Sequence, residues 1–219
     1  MLIEEEYDPD LMVIQECEDP RTSTASFRAW SGSYLWVGEN KNKGLAIFDR
    51  KLIGIQALDW PSNGLELFLP CRLDSGSALI GVWTKYANSP NFGYIGQVWK
   101  YLQVHGAKIS GNRSCLVGDW NSNVRWDEWD RWWNHSDVVT QLAEANIRSV
   151  YHDHHAEAQG QESMPTLFHR KDMSKSYHVD YAFASALLRP KDGYAVQIGN
   201  PEKWLEHSDH MPLVFRIDD

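Results

Sequence analysis

The sequence has few cysteines and no long apolar run, and both absences narrow the class of protein it encodes. Its three cysteines, Cys17, Cys71 and Cys115, are odd in number and far apart. We expect them to be reduced and buried, which excludes a disulfide framework and a zinc knuckle. No apolar run approaches the ~18 residues that a membrane span requires, and the acidic start is unlike a secretory signal. The sequence therefore predicts a cytoplasmic protein with no membrane segment.

Basic residues are also in short supply. Lys and Arg number 21 against 30 Asp and Glu, which gives a formal net charge of -9. This balance argues against a protein that coats nucleic acid with a broadly basic face, but it allows an enzyme with a local basic rim. Internal repeats and low-complexity linkers are absent too, and a chain of 219 residues suits one domain.

Short β-rich runs dominate the chain, and helical patterns are fewer. The runs cover 11–15, 44–48, 52–58, 65–69, 77–84, 114–118, 179–184, 194–198 and 212–217. Apolar residues recur at helical spacing from Ile95 to Leu102, and Ser136 is the expected N-cap of a second helix. Many strands with interleaved helices favour an α/β protein with two packed sheets.

Four segments place acids, an amide or a histidine beside predicted strands. They are "LMVIQE" with Glu16, "LVGDWN" with Asp119 and Asn121, "YHVDYAF" with Asp180, and "HSDHMPLVF" with Asp209 and His210. A carboxylate buried beside strands is costly unless a cation or hydrogen bonds compensate. Each segment alone is typical of a turn or a strand end, whereas the ordered set indicates one site.

The residue types in this set suit hydrolysis of a phosphoester. Hard oxygen ligands such as Glu16 suit Mg²⁺, or Mn²⁺. Asp119 and Asn121 project to the same side of an extended backbone, so the acid can handle a water proton while the amide holds a phosphate oxygen. His210 is the natural partner of that phosphate, and a carboxylate such as Asp180 would hold its ring and keep it cationic.

In this order, "VIQE", "GDWN", "HVDYAFAS" and "SDHMPL" resemble the endonuclease/exonuclease/phosphatase superfamily, which includes exonuclease III and deoxyribonuclease I. The resemblance extends from residue 11 to the C-terminus. It implies a four-layer α/β sandwich, in which two mixed β-sheets pack face to face with helices outside. It also implies magnesium-dependent cleavage of phosphoester bonds.

The resemblance further implies a role for each motif residue. Glu16 matches a metal-binding glutamate, Asp209 a second acid near the metal, Asp119 the acid that orients or deprotonates water, Asn121 the amide that contacts phosphate, and Asp180 the partner of the catalytic His210. The usual opening strand, which ends in Trp-Asn or a similar pair, has no counterpart upstream of "DPDLMVIQE". We therefore expect residues 1–219 to form one domain of this type that is shortened at its N-terminus.

Further residues are candidates for substrate binding. In "GVWTKYAN", Trp83, Lys85 and Asn88 occupy the position where relatives carry a phosphate contact. Trp120, between the acid and the amide, points the opposite way from them and is a candidate for stacking on substrate.

Two other stretches allow both a functional and a purely structural interpretation. The basic stretch "FHRKDMSKSYH" contains Arg170 and Lys171, which either steer a polyanion toward the metal or form a solvated loop. Zinc binding by the histidines of "YHDHHAEAQGQE" is disfavoured, because no HExxH pattern or completing Cys pair is present.

A dense tryptophan segment follows "GDWN". Trp126, Trp129 and Trp133 fall on one helical face, which favours packing over a platform for stacking unpaired bases. Taken together, the sequence predicts a metal-dependent nuclease that hydrolyses phosphodiester bonds in DNA or RNA by in-line attack of water. The alternatives are a phosphatase or phosphodiesterase for a small soluble phosphoester, and a catalytically silent module.

Overall fold

The computed structural model describes residues 2–86, 89 and 91–219. Its helices are α1 Leu2–Tyr7, α2 Ala25–Ser31, α3 Ile95–Ile109, α4 His135–Glu144, α5 Val150–His155 and α6 Pro201–Trp204. The strands before α4 are β1 Leu11–Cys17, β2 Ser33–Asn40, β3 Lys43–Asp49, β4 Ile55–Ala57, β5 Phe68–Leu73, β6 Ala78–Trp83 and β7 Ser114–Asp119. The later strands are β8 Ile147–Ser149, β9 Leu167–Phe168, β10 Ser176–Tyr177, β11 Asp180–Ser185, β12 Val196–Ile198 and β13 Leu213–Phe215.

The larger sheet has six strands in the order β4-β5-β6-β7-β11-β8. β6 and β7 are parallel and the other neighbours are antiparallel, so the sheet is mixed. Apolar side chains alternate between its two faces, as a sheet covered on both sides requires. Ile80 and Val82 belong to the core on one face, while Leu79 and Trp83 belong to the core on the other.

A second sheet, in the order β1-β3-β2, lies against the larger one and is antiparallel throughout. Leu45 and Ile47 of β3 pack with Cys71 and Cys115 of the larger sheet in an inter-sheet core. The resemblance implied two mixed sheets, whereas only the larger sheet is mixed. A short turn joins β2 directly to β3, and such a connection makes neighbouring strands antiparallel.

Helices cover the outer face of each sheet. Val98 of α3 and Val138 of α4 pack on the outer face of the larger sheet. On the other side, α1 and α2 cover the second sheet above an outer core that contains Met12, Cys17 and Phe48. The resulting order of helix, sheet, sheet and helix confirms the expected four-layer α/β sandwich.

The two helices expected from the sequence are present, but one begins earlier than expected. Asn134, not Ser136, is the N-cap of α4: its side chain accepts a hydrogen bond from the backbone N–H of Asp137, and the backbone N–H of Asn134 donates to Oδ2 of Asp137 at 2.7 Å. This reciprocal capping box satisfies two helix-terminal donors, which a single serine would not do.

Two short two-stranded sheets lie beside the larger sheet. β9 pairs with β10 and β12 pairs with β13, each in antiparallel register. Within the described residues, β1 has a paired neighbour on one edge only, β3, and no strand precedes it. None of the described helices is long and apolar enough to cross a bilayer.

The three cysteines are free thiols and all are buried, as expected. Burial raises the pKa of each thiol, Cys17, Cys71 and Cys115, to about 12. They therefore serve as small apolar core residues in the folded protein.

Candidate active site

Three separated segments bring polar groups together at one end of the larger sheet. β7 ends at Asp119 and β11 begins at Asp180, and the two residues lie opposite each other in the ladder. His210 precedes β13 and forms an isolated bridge with Leu167 beside them. One ligand atom from each of Asp119, Asp180 and His210 lies within 4.8 Å of the other two. Strand register therefore builds this cluster.

Gly118, immediately before Asp119, allows the backbone to pass close to its neighbours. A Cβ atom at this position would lie 1.9 Å from the carbonyl oxygen of Val82 and 2.7 Å from Nε2 of Gln15. The contact brings β1, which carries Gln15, directly over the end of β7. A glycine is required here because any side chain would push these strands apart.

Asn121 holds the Asp119 carboxylate in place. The backbone N–H of Asn121 donates to Oδ1 of Asp119 at 2.8 Å, and its side-chain amide donates to Oδ2 at 2.5 Å. The same amide donates to the carbonyl oxygen of Thr84 at 3.1 Å, so both of its hydrogens are used. In this structure Asn121 therefore orients the acid, and a contact with phosphate would require it to exchange one of these bonds.

Asp180 and His210 form the second half of the cluster. Nδ1 of His210 lies 2.9 Å from Oδ2 of Asp180. The hydroxyl of Thr166, which is fully buried, accepts the backbone N–H groups of Val179 and Asp180, each at 3.0 Å. Thr166 was not predicted, because "MPTLF" carries no signal beyond that of a loop.

Burial and the neighbouring charges shift the pKa values of Asp119 and His210. Burial, together with the nearby Asp180 carboxylate, raises the pKa of Asp119 to about 7. Burial alone would lower the pKa of His210, but the carboxylates of Asp180, Asp119 and Asp209 raise it to about 9. Near neutral pH, His210 is thus a cation and Asp119 is poised to accept a proton.

The two residues expected to bind metal lie outside this tight cluster. The Glu16 side chain is 58% exposed and pairs with Lys43 at 2.5 Å. Its backbone has a positive φ of 55°, at a break in the register between β1 and β3. Asp209 contributes to the field at His210, and its carbonyl oxygen accepts the backbone N–H of Phe168 at 2.8 Å.

Glu16 nevertheless lines a cavity together with one of the catalytic candidates, Asn121. An open cavity of about 490 Å³ is bounded by Glu16, Thr84 and Asn121. Its remaining lining residues are Glu39, Glu66, Trp83, Lys85, Tyr86 and Tyr94. The two further glutamates were not predicted, since each is an isolated acid in the sequence.

The substrate-binding candidates are distributed unevenly around the site. Trp83 is 6% exposed, and its ring lies 5.1 Å from the ammonium group of Lys85, which also bonds Glu39 at 2.7 Å. Both residues line the cavity. Asn88 lies outside the described residues. Arg170 and Lys171 are exposed on the loop after β9, and Lys171 donates to the carbonyl oxygen of Glu206.

The expectation that Trp120 contacts substrate is wrong. Trp120 has no exposed surface and its ring stacks on Phe183 with centroids 4.6 Å apart. The alternation that turns Asp119 toward the site turns Trp120 into the core beneath α4. The helix expected for Trp126, Trp129 and Trp133 is also absent, because residues 124–126 form a short 3-10 turn followed by loop. Trp133 packs against the core as expected, whereas Trp126 and Trp129 are exposed.

No protein-family model and no curated protein matches the sequence. Solved structures of other proteins do match it in fold. A 3'-5' exonuclease, NExo, from Neisseria meningitidis superposes with a TM-score of 0.73 at 17% identity, covering 100% of this chain and 93% of that chain. A 3' phosphatase NExo structure from Neisseria, bound to product DNA hairpin, gives a TM-score of 0.71 at 16% identity and covers 100% and 92% of the two chains. An AP endonuclease from Archaeoglobus fulgidus gives a TM-score of 0.70 at 16% identity, covering 99% and 91%.

The chain therefore has the same fold as these nuclease and phosphatase structures. At identities of 16% and 17%, the comparisons establish the fold alone. Within this fold, the chain places Asp119, Asp180 and His210 together where β7 ends and β11 begins.

Proposed function

We propose that the protein is a divalent-metal-dependent phosphoesterase that hydrolyses phosphodiester bonds in nucleic acid. One observation carries the proposal: Asp119, Asp180 and His210 meet within 4.8 Å at the end of the larger sheet. The superfamily fold supports it, because the similar structures include an exonuclease, a 3' phosphatase bound to product DNA hairpin and an AP endonuclease.

The side chains at the site fit a hard divalent cation such as Mg²⁺ or Mn²⁺. Asp119 and Asp180 are adjacent carboxylates, and their repulsion is reflected in the raised pKa of Asp119. A divalent cation would relieve that repulsion, and carboxylate oxygens are its preferred ligands. When bound, the metal would polarise a phosphoryl oxygen and stabilise the leaving oxygen.

Glu16 and Asp209 are the residues we propose to complete the metal site. The exposed ion pair of Glu16 with Lys43 is worth about 0–1 kcal/mol, so exchanging it for a metal ligand costs little. Glu16 already faces the cavity that it shares with Asn121.

The protein groups then divide the remaining work. Asp119, held by Asn121, orients the attacking water and takes its proton. Cationic His210 neutralises the phosphate, and Asp180 fixes the orientation of its ring. We also propose that residues 1–219 function as one domain in the cytoplasm, which suits three free thiols.

A small soluble phosphoester is the second candidate substrate, and one observation favours it. Glu16, Glu39 and Glu66 line the cavity beside the site, and a hydrogen bond with Glu39 raises the pKa of Glu66. Acids at the entrance weaken the attraction of a polyanion more than that of a small monoester.

The decisive experiment compares Asp119→Asn with Asp192→Asn. The control removes a carboxylate that is 77% exposed on the surface. Hydrolysis of plasmid, single-stranded DNA, RNA, a small phosphodiester and a small phosphomonoester is measured with Mg²⁺ and with EDTA. We expect Asp119→Asn to lower kcat by about 100-fold or more, since a general base contributes on that scale. The control should remain within about twofold of wild type.

The substrate panel separates the alternatives. Turnover of the polymers supports a nuclease, and turnover of the small ester alone supports a phosphatase or phosphodiesterase. Equal rates for wild type and Asp119→Asn on every substrate would establish a catalytically silent module instead.

A further inference from the structure

The loop that follows the site displays tryptophan side chains to solvent. Trp126 is 44% exposed, Trp132 is 68% exposed and Trp129 is 97% exposed. We call residues 124–133 the tryptophan loop. Large aromatic side chains are normally buried, and a cluster of exposed ones marks a binding surface.

Polar side chains brace the backbone of the tryptophan loop. Oδ1 of Asn134 accepts the backbone N–H of Glu128 at 2.9 Å and Nε of Arg131 at 2.7 Å. Arg131 also donates to the carbonyl oxygen of Trp126 at 2.9 Å. Asp127 accepts the backbone N–H groups at the start of α4, which anchors the loop to that helix. A loop whose backbone is already fixed loses less conformational entropy when it binds a ligand.

The tryptophan loop adjoins the proposed catalytic site. The ring of Trp126 lies 5.4 Å from that of Tyr177. Tyr177 pairs with Leu167, and Leu167 in turn bridges to His210. Two strand spacings therefore separate Tyr177 from His210, which amounts to roughly 10 Å between their backbones.

The charges around this surface indicate how a ligand would lie. Arg170 and Lys175 are exposed on the segment between β9 and β10, which leads into Tyr177. Acids within the tryptophan loop, including Asp130, disfavour phosphates there. The loop therefore offers ring faces, while the neighbouring segment offers cations for a phosphate backbone.

We propose that the tryptophan loop stacks unpaired bases of a single nucleic acid strand whose phosphate backbone extends to the site at His210. Bases in a duplex are already stacked on each other, whereas unpaired bases expose both faces to aromatic side chains. This inference rests on the proposed phosphoesterase function and adds single-stranded nucleic acid as the substrate class.

The test measures binding in EDTA, so that no turnover intervenes. The probes are an oligothymidylate and an abasic deoxyribose-phosphate oligomer of the same length and charge. The variants are Trp129→Ala, Trp132→Ala and Trp129→Phe, with Leu187→Ala as control because Leu187 is 57% exposed on another element. Thermal unfolding of each variant verifies that the fold is retained.

We expect each tryptophan-to-alanine change to weaken oligothymidylate binding at least about fivefold, as loss of one base stack does. Binding of the abasic oligomer should stay unchanged, Trp129→Phe should retain much of the affinity, and Leu187→Ala should match wild type. Equal losses on both probes would overturn the proposal, because the tryptophans would then contact the sugar-phosphate backbone and not the bases. No loss on oligothymidylate would also overturn it and leave a protein partner as the occupant. Absence of hydrolysis by wild type would refute the proposed function alone, since binding is measured separately.

Discussion

The protonation of single residues controls the proposed site. Asp119 and His210 both have shifted pKa values, and in each case the Asp180 carboxylate is a major cause. Asp180 therefore does more than orient a ring: it sets the charge on both of its neighbours.

Replacing Asp180 makes this dependence measurable. In metal-free Asp180→Asn, burial is no longer offset by the nearest carboxylate, so the pKa of His210 should fall from about 9 toward its ordinary value of about 6.5 or lower. The measurement is an NMR titration of the His210 ring protons. Asp209→Asn is the matched control and should cause a smaller decrease, because Asp209 contributes least of the three carboxylates. Equal decreases would contradict the assignment.

Gly118 is the residue on which the packing at the site depends most directly. In Gly118→Ala the new Cβ would overlap the Val82 carbonyl oxygen, which lies 1.9 Å away. We expect the free energy of unfolding to fall by about 1–3 kcal/mol or more, as measured by urea denaturation. Gly106→Ala in α3 is the control: its Cβ meets nothing within 4 Å, and helix propensity should add up to about 1 kcal/mol. A neutral Gly118→Ala would show that β6 can move away from β7 at this position without cost.

At the scale of elements, α4 begins on a buried and neutral histidine. His135 is fully buried, and burial lowers its pKa to about 4. The unfolded chain binds a proton at about pH 6.5, so the unfolded state gains protons first as the pH falls. The contribution of His135 to stability is therefore complete above pH 6.5 and declines as the pH falls toward 4.

This decline predicts a difference between wild type and His135→Gln. Between pH 7 and 4, wild type should lose up to about 3 kcal/mol more unfolding free energy than the variant, which carries no titrating ring. Urea denaturation at several pH values measures both curves. Parallel curves would show that the pKa of His135 does not differ between the folded and unfolded states.

Some elements could be predicted from the sequence and others depended on tertiary contacts. β3 and β7 matched the expected runs closely, because apolar residues bounded by turn formers read as buried strands. β2 was missed, since its aromatic residues are half-buried and its pattern is weak. The tryptophan loop was misread as a helix, because its shape is set by side-chain bonds from Asn134 and Asp127 rather than by periodicity.

At the scale of the whole molecule, metal binding should stabilise the fold. A ligand at about 100 times its Kd adds about 2.7 kcal/mol to the unfolding free energy. We expect Mg²⁺ to raise the Tm of wild type and of Asp192→Asn, and to leave that of Asp119→Asn unchanged. Glu16→Gln should show a reduced shift if Glu16 turns from Lys43 to the ion. Identical shifts in all four proteins would place the ion elsewhere.

The sequence motifs identified the candidate residues, but not the position of each side chain in the fold. Asp119, Asp180 and His210 meet because β7 and β11 pair in a register that the sequence does not specify. The orientation of Glu16 follows from its positive φ at an irregularity in β1, which no local sequence pattern predicts. Trp120 was assigned to substrate from its neighbours alone, and the depth of the core decided otherwise.

The rate at which each buried thiol is alkylated reports how often its surroundings unfold. Cys71 and Cys115 lie between the two sheets, whereas Cys17 lies under the outer helices. Because a thiol with a raised pKa hardly reacts while enclosed, alkylation reports the moment at which its compartment becomes accessible. Labelling of Cys17 before Cys71 and Cys115 would reveal that the outer layer detaches while the paired sheets remain closed.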